Sequence, residues 1–277
     1  MSKVFFYNED CFETMNKMIG KDYKVDVVLT SPPYATSRSK VQTDKALETY
    51  NRRYDICLDS MTEEEYSDWT VKLFNKFDKV LSKDGVVLYN VSYGNENPDA
   101  MWLALLSVIK ETPFRIADTI IWKKKSALPN NVGNKLTRIT EFVFVFCRKT
   151  EYKTFFINKK VKTVRQDTGQ KYYESVYNFI EAPNNDGACK LNKATYSSDL
   201  CLKLLELYAR QKCVVYDPFM GTGTTGIACM RMNSDYDMTC VGSELSEAQV
   251  DYSCERTHKY KEENNLNTVI KCKYKED

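Results

Sequence analysis

A rigid polar platform follows an early apolar strand pattern. Residues 30–34 read TSPPY and come directly after the apolar run VDVVL. Pro32 and Pro33 cannot continue a central strand, because proline lacks an N–H and fixes its own φ. Each residue that precedes a proline is also held extended, so the Ser31 hydroxyl sits on a stiff backbone. Open α/β sheets bind ligands at this end of a strand, which favours a chemical role; the alternative is a turn whose Tyr34 fills the core edge.

A glycine-rich turn occurs late in the chain. Residues 217–226 read DPFMGTGTTG, between the strand pattern KCVVY and the helix pattern TTGIACMRM. Gly221, Gly223 and Gly226 lack side chains, which lets a ligand approach the backbone at a helix N-terminus. Glu244 ends the next strand pattern, where its carboxylate can accept hydrogen bonds from two ribose hydroxyls. The pattern predicts a site for the adenosine portion of a cofactor, and by itself it fits a nicotinamide cofactor or S-adenosylmethionine.

The composition excludes several kinds of chemistry. The 277 residues include 40 Lys and Arg against 38 Asp and Glu, so the net charge of +2 does not mark a nucleic-acid binder. The single histidine, His258, lies in the charged segment RTHKYKEENN, which reads as an exposed helix face; a His-based triad or a common zinc site is excluded, and no metal is expected. Ten cysteines without a CxxC pair, no secretory leader and no apolar run of bilayer length predict reduced thiols in a cytoplasmic protein.

Alternating apolar patterns predict the elements that position both motifs. Seven runs rich in Val, Ile, Phe and Tyr read as strands, beginning at Lys3, Lys24, Gly85, Ala117, Glu141, Lys212 and Met238. Helical patterns span about Thr62 to Gly85, Asp99 to Lys110, Ser198 to Arg210, Thr224 to Met232 and Ser246 to Lys261. This alternation favours one α/β domain with a mostly parallel sheet and helices on both faces.

Two polar segments interrupt the alternation. One is residues 35–55, directly after the first motif, and the other is residues 149–194, which contain NKKVKTVRQDTGQKYY. Eight basic and two acidic residues lie from Arg148 to Lys171, and five basic and no acidic residues lie from Lys123 to Arg138. Charge runs are usually solvated faces, but three basic segments in an otherwise balanced sequence favour a groove that follows phosphates.

The two motifs together resemble those of the DNA amino-methyltransferases, which modify cytosine N4 or adenine N6. That family has a [DNS]PP[YFW] catalytic motif, matched by residues 31–34, and a DPFxGxGTT cofactor motif, matched by residues 217–225. The early catalytic motif and late cofactor motif follow the family's circularly permuted beta-class order. The resemblance implies a seven-stranded Rossmann-like methyltransferase sheet, with a catalytic half at 1–148, a small target-recognition insertion at 149–194 and a cofactor-binding half at 195–277.

The resemblance also implies the site residues. A flipped base would present its amine to Ser31 and the Pro32 carbonyl, with Pro33 stiffening the backbone and Tyr34 stacking on the base. The cofactor would be S-adenosylmethionine, held by Asp10, Thr30, Asp217, Pro218, Phe219, Gly221, Gly223, Thr224, Thr225 and Glu244. The partner would be double-stranded DNA, contacted by Arg38, Lys40, Arg52, Arg53, Lys123, Lys124, Lys159, Lys160, Lys162 and Arg165. A cognate restriction endonuclease is a further candidate partner.

Other interpretations stay open. Family members with SPPY more often modify cytosine N4, but adenine N6 is the alternative. A second alternative is an inactive cofactor-binding regulatory subunit, against which the intact Ser31 and Glu244 argue. A third alternative is that the substrate is RNA. Trp122 either lines the DNA cleft or is buried at a strand edge, whereas Trp69 and Trp102 are predicted in the core.

Overall fold

The structure is a computed structural model that describes residues 1–34, 61–93, 97–187, 195–232 and 236–274. Its elements in chain order are β1 Ser2–Tyr7, α1 Cys11–Gly20, β2 Val25–Thr30, α2 Glu63–Val80, β3 Leu81–Val91, α3 Ala100–Glu111, β4 Phe114–Lys124, β5 Thr140–Arg148, β6 Val161–Val164, β7 Lys171–Tyr173, β8 Phe179–Ala182, α4 Ser198–Tyr208, β9 Val214–Asp217, α5 Thr224–Arg231, β10 Thr239–Ser243, α6 Glu247–Glu263 and β11 Thr268–Lys273.

Nine of these strands form one sheet in the order β11-β1-β10-β9-β2-β3-β5-β4-β8. Neighbouring strands are parallel except around β5, which runs antiparallel to both β3 and β4. The predicted α/β fold with a mostly parallel sheet is confirmed, but the sheet has nine strands rather than seven. The two added strands, β8 and β11, lie at opposite edges. β8 has four residues and β11 mixes lysines with apolar residues, so neither has the continuous apolar run of a buried strand.

Helices cover both faces of the sheet, as the alternation predicts. Side chains of α4, α5 and α6 pack on one face in a cluster that includes Leu204, Ala228 and Val250. Side chains of α1, α2 and α3 pack on the other face in a cluster that includes Met15, Phe74 and Leu105. Helix α1 was not among the predicted helices, because a ten-residue helix depends on tertiary packing more than on its own propensity.

The segment 149–194 is only partly separate from the sheet. Strand β8 within it pairs with β4, and Phe155 and Ile157 pack against the core. Strands β6 and β7 pair only with each other, as an antiparallel hairpin whose strand residues are all exposed. We call residues 159–177 the hairpin arm. It is the projecting part of this segment, and it is shorter than the predicted insertion.

Two expectations from the sequence are wrong. Cys254 of α6 and Cys272 of β11 form a disulfide with their Cα atoms 6.6 Å apart, so the prediction of reduced thiols fails for this pair, whereas the six other described cysteines are free. Cys254 and Cys272 meet because β11 packs along α6, which no short-range spacing reveals. Trp102 of α3 is 47% exposed and not in the core.

Other single-residue expectations have clear outcomes. Trp122 is buried at the sheet edge, where its Nε1 donates to the Ala182 carbonyl at 3.3 Å, so it does not line an open cleft. His258 is exposed on α6, as expected. No helix in the described part of the chain combines the length and apolar character needed to cross a membrane.

Candidate active site

Four adjacent parallel strands have their carboxyl ends on the same side of the sheet, and the predicted site residues follow these ends. In sheet order these strands are β1, β10, β9 and β2. They lead to Asp10, Glu244, the glycine-rich turn after Asp217, and Ser31 respectively. Pairing of β2 with β9 brings the two motifs together although 187 residues separate Thr30 from Asp217. The sheet therefore assembles one site from both halves of the chain, at the edge where α/β sheets bind ligands.

The TSPPY segment leaves β2 in contact with two other elements. Ser31 Oγ lies 3.1 Å from the Tyr34 hydroxyl, which lies 3.5 Å from the Asn90 carbonyl near the end of β3. The Tyr66 hydroxyl of α2 donates to the Pro33 carbonyl at 3.1 Å. Pro32 is buried, while Ser31, Pro33 and Tyr34 are half-buried. The backbone of the motif is thus held by α2 at Pro33, and Ser31 remains partly exposed.

A buried carboxyl group joins the two motifs. Asp217 Oδ1 accepts from the Thr30 hydroxyl at 2.8 Å and from the Phe219 N–H at 3.0 Å. Its Oδ2 lies 2.5 Å from the Thr225 hydroxyl and 3.1 Å from the Tyr196 hydroxyl, and these two hydroxyls are 2.6 Å apart. Burial raises the pKa of Asp217, against hydrogen bonds from Thr225 and Thr30 that lower it. The Thr225 and Tyr196 hydroxyls supply two protons for the three contacts among these oxygens, so a proton on Asp217 would supply the third.

This network includes three of the predicted cofactor contacts. The side chains of Thr30, Asp217 and Thr225 are fully buried, and the Asp217 carboxyl bonds to both threonine hydroxyls. They stabilise the glycine-rich turn through these buried hydrogen bonds. The same holds for Thr224, which is buried and accepts from the Arg256 guanidinium at 3.1 Å. The motif pattern alone could not show that these side chains bond to one another and shape the turn.

The glycines of the turn are required by its own packing. Gly221 and Gly223 have φ of +53° and +80°, a region that favours glycine. A Cβ at Gly223 would lie 3.1 Å from Ser253 Cβ on α6, and one at Gly226 would lie 3.2 Å from Val4 Cγ1 on β1. Close packing of the turn on α6 and β1 therefore gives Gly223 and Gly226 a second reason to be glycine, beside the predicted approach of a ligand.

Glu244 connects the end of β10 to the glycine-rich turn. Its Oε2 accepts from the Gly221 N–H and its Oε1 from the Ser246 N–H, both at 2.9 Å. The Leu245 N–H also bonds to this carboxylate, and a carboxylate has about four acceptor positions, so about one remains for a ligand. Burial raises the pKa of Glu244, while the Ser246 and Gly221 N–H groups lower it. The Asn8 amide donates to the carbonyls of Glu244 and Leu245 at 3.1 and 3.0 Å, which fixes this loop.

The remaining predicted cofactor contacts lie near these groups. Asp10 is half-buried and caps α1, with Oδ1 accepting from the Phe12 N–H at 2.7 Å. Pro218 is buried and Phe219 is half-buried. Among the described residues, no group of three His, Cys, Asp or Glu side chains could hold a metal ion.

The two lysines at the end of β4, which the sequence predicts to contact DNA phosphates, are ion-paired. Lys123 pairs with Glu181 at 3.2 Å, and Lys124 pairs with Glu141 in a mostly buried contact. A lysine with an acidic partner contributes less positive potential to a groove. The predicted contacts Arg38, Lys40, Arg52 and Arg53 lie outside the described residues.

The hairpin arm carries the other predicted DNA contacts. Lys160, Lys162 and Arg165 are exposed and Lys159 is half-buried. Arg165 forms an exposed ion pair with Asp167 at 2.8 Å. These residues therefore differ in exposure from the strand-end groups: the hairpin arm is exposed, whereas the catalytic and cofactor motifs are held by buried hydrogen bonds.

Several residues that hold the site were missed by the sequence reasoning. Besides Asn8, Tyr66 and Tyr196, they include two residues of α6. The Ser253 hydroxyl donates to the Gly221 carbonyl at 2.8 Å, and Arg256 donates to the Thr222 carbonyl at 3.0 Å. Buried Ser253 and Thr257 form a polar stripe on the inward face of α6, and such a stripe in a predicted helix is the one available signal.

Comparisons with known proteins agree with this geometry. The family model N6_N4_Mtase, described as DNA methylase, matches residues 25–255. The type II methyltransferase M.Cfr9I of Citrobacter freundii is 24% identical over 264 residues, covering 84% of this chain and 81% of that protein. The PvuII DNA methyltransferase (cytosine-N4-specific) has a similar structure, with a TM-score of 0.63 and 19% identity over 96% of this chain and 94% of that one. The structure of the M1.HpyAVI-SAM complex matches with a TM-score of 0.56 and 18% identity over 91% and 98% of the two chains. Because the family model spans most of the chain, the protein belongs to the N6_N4_Mtase family of DNA methylases.

Proposed function

We propose that the protein transfers a methyl group from S-adenosylmethionine to the exocyclic amine of a base flipped out of double-stranded DNA, and that the product is N4-methylcytosine. One observation carries the proposal. The Thr30 hydroxyl, one residue before Ser31, bonds to Asp217 at the start of the glycine-rich turn at 2.8 Å. A methyl acceptor at Ser31 and a methyl donor at the turn would therefore be neighbours.

The strand-end residues fit S-adenosylmethionine, which supplies an electrophilic methyl group when it is bound. Glu244 keeps acceptor capacity beyond its three backbone N–H partners, which suits a ribose hydroxyl. Asp10 retains acceptor capacity for an amino group beyond its bond to Phe12. Phe219 is half-buried, so part of its ring is available to an apolar portion of the molecule. The M1.HpyAVI structure named as a SAM complex supports the same assignment.

In the proposed reaction, the catalytic motif positions an amine and forms no covalent bond to the base. The lone pair of an exocyclic amine is delocalised into the base, so it must be turned out of the ring plane. Ser31 Oγ and the Pro32 carbonyl can accept the two N–H bonds and draw the nitrogen toward tetrahedral geometry. Tyr34 can hold the base by stacking. Such positioning can account for ~7 to 11 kcal/mol of barrier reduction.

The choice of cytosine rests on the catalytic motif. The neutral Ser31 hydroxyl is a shorter acceptor than the side chain of Asp or Asn, so the amine must approach the Pro32 carbonyl closely, and this suits the smaller base. The similarity in fold to a cytosine-N4-specific enzyme points the same way without deciding it. Adenine N6 remains the competing product. It would leave the proposed mechanism intact.

The hairpin arm is proposed to contact DNA. It carries five basic residues and two acidic ones, together with three exposed tyrosines: Tyr172, Tyr173 and Tyr177. The major groove of DNA admits a two-stranded β-ribbon, and phosphate contacts by lysine provide the affinity. Catalytic, recognition and cofactor-binding roles for residues 1–148, 149–194 and 195–277 stay proposals, as does a cognate restriction endonuclease.

The product can be identified directly. Plasmid DNA incubated with the protein and S-adenosylmethionine is digested to nucleosides and separated by mass spectrometry. We expect N4-methyldeoxycytidine. N6-methyldeoxyadenosine alone would overturn the cytosine assignment, and methylation of RNA but not DNA would overturn the substrate class. A protein that binds the cofactor but methylates neither would be a regulatory subunit.

A further inference from the structure

Helix α2 begins at the site with two aromatic side chains that belong to neither motif. Its first turn is fixed by a capping box: Glu65 N–H donates to the Thr62 hydroxyl at 3.2 Å, and the Glu65 carboxylate accepts from the Thr62 N–H at 2.8 Å. Tyr66 and Trp69 follow at a spacing of three, so they share a helix face. A fixed first turn gives both rings a defined position.

Tyr66 contacts the catalytic motif. Its side chain is buried, and its hydroxyl donates to the Pro33 carbonyl at 3.1 Å. Pro33 has no N–H, so no N–H of its own can anchor this residue of the motif. A hydrogen bond to its carbonyl fixes the peptide plane between Pro33 and Tyr34. That plane sets the direction in which Tyr34 leaves the motif.

Trp69 contacts the cofactor motif. Its ring stacks on Tyr66, with centroids 5.9 Å apart and planes at 19°. Its other neighbour is Phe219 in the glycine-rich turn, with centroids 5.7 Å apart and planes at 42°. Trp69 is half-buried, so part of it remains accessible between the two motifs. Ring contacts at these separations are ordinary aromatic packing.

We infer that Tyr66 and Trp69 are positioning residues for methyl transfer, which set the distance between the methyl acceptor at Ser31 and the methyl donor at the glycine-rich turn. This inference rests on the proposed function. The continuous contact from the Pro33 carbonyl through Tyr66 and Trp69 to Phe219 bridges the two motifs on the side of α2. The bond between Thr30 and Asp217 bridges them at the sheet. Two bridges make the spacing rigid, and misplacement of a reacting atom by about 1 Å can cost about 100-fold in rate.

The first test removes a single hydroxyl. Tyr66→Phe keeps the stack on Trp69 and loses the bond to Pro33 together with the contact to the Tyr89 hydroxyl. Tyr208→Phe is the control, a buried tyrosine on α4. Methyl transfer to plasmid DNA is measured in a single turnover with excess protein, and cofactor affinity by calorimetry. We expect Tyr66→Phe to slow transfer about tenfold while the Kd for S-adenosylmethionine stays within twofold and the Tm matches the control. A wild-type rate, or a slower rate matched by an equal loss of affinity, would overturn the inference.

The second test does not need activity. Binding of S-adenosylhomocysteine is followed by tryptophan fluorescence in the wild type and in Trp69→Phe, with calorimetry to give the Kd of each. We expect the ligand-induced change to disappear in Trp69→Phe while the Kd remains within a few fold, because Trp102 and Trp122 lie on other elements. A change that persists would overturn the inference even if the wild type methylates DNA. A wild type that binds this ligand and loses the change in Trp69→Phe but modifies no DNA would overturn the proposed function and the positioning role, and would leave only the contact of Trp69 with the ligand site; one that binds nothing would overturn all three.

Discussion

The strand-end site and the hairpin arm are built in opposite ways. At the site, Asp217 is completely buried and its two oxygens have four partners from β2, the segment before α4, the turn and α5. In the hairpin arm, β6 and β7 pair only with each other, and Tyr172, Tyr173 and Val164 are each about half exposed. An isolated two-stranded hairpin is marginally stable in water. Under the proposed function, the residues for chemistry are fixed before DNA binds, whereas the hairpin arm would be ordered by its contact with DNA.

The largest expected effect is at the buried carboxyl group. Asp217→Ala leaves the hydroxyls of Thr30, Tyr196 and Thr225 buried with fewer partners, which should cost about 3 kcal/mol of stability. At about 2 to 4 °C for each kcal/mol, the Tm should fall by about 6 to 12 °C. Asp167→Ala is the matched control in the hairpin arm, and it should leave the Tm within about 2 °C. Equal Tm values for the two variants would contradict the comparison.

A second effect separates affinity from folding. Glu244→Ala removes the proposed ribose acceptor, and loss of hydrogen bonds to a charged group should weaken S-adenosylmethionine binding roughly 10- to 100-fold. Calorimetry measures the Kd, and circular dichroism checks that the variant is folded. Glu247→Ala, three residues away in the first turn of α6, is the control. An unchanged Kd in folded Glu244→Ala would remove Glu244 from the cofactor site.

A third effect belongs to the hairpin arm. Replacing Lys159, Lys160 and Lys162 with threonine should flatten the plot of log affinity for DNA against log salt by roughly 0.9 for each phosphate that the protein no longer neutralises. Arg165 is left in place because Asp167 already pairs with it. The control replaces three exposed lysines elsewhere, Lys3, Lys21 and Lys271. If the hairpin-arm variant flattens the slope no more than the control does, the DNA surface lies elsewhere.

The smallest effect is a pH dependence. Burial raises the pKa of Glu244, so this carboxyl takes up a proton at a higher pH than an ordinary glutamate. The neutral form offers fewer acceptors to a ribose, so affinity for S-adenosylmethionine should fall as the pH is lowered toward that raised pKa and recover above it. Titrations across pH measure this. Glu244→Gln should bind weakly and lose the dependence, and an unchanged dependence in that variant would assign it to another group.

The sequence predicted the motif residues better than the residues that support them. TSPPY and DPFMGTGTTG are contiguous, so their composition identifies the strand ends and the turn. Asn8, Tyr66 and Arg256 reach the site from β1, α2 and α6 by contacts between residues far apart in the chain, and a single sequence carries no signal for such contacts. The edge strands β8 and β11 were missed for a related reason, because they complete a sheet that the central strands already specify.

The charge pattern of the sequence also could not show which basic residues form ion pairs. The basic run from Lys123 predicted phosphate contacts, but Lys123 and Lys124 pair with Glu181 and Glu141 from neighbouring strands. A run of like charges in the sequence does not show which acidic side chains the sheet places opposite them.

The most direct test of the central claim is Ser31→Ala, measured for cofactor affinity and single-turnover methyl transfer to DNA in one protein preparation. Ser31 is half-buried and its Oγ bonds only within the motif among the described residues, so the substitution should leave the fold and the Kd for S-adenosylmethionine unchanged. The account predicts that transfer slows by at least about tenfold, because the reacting amine would have one acceptor fewer; this corresponds to about 1.4 kcal/mol of barrier. Full activity in Ser31→Ala would contradict the account.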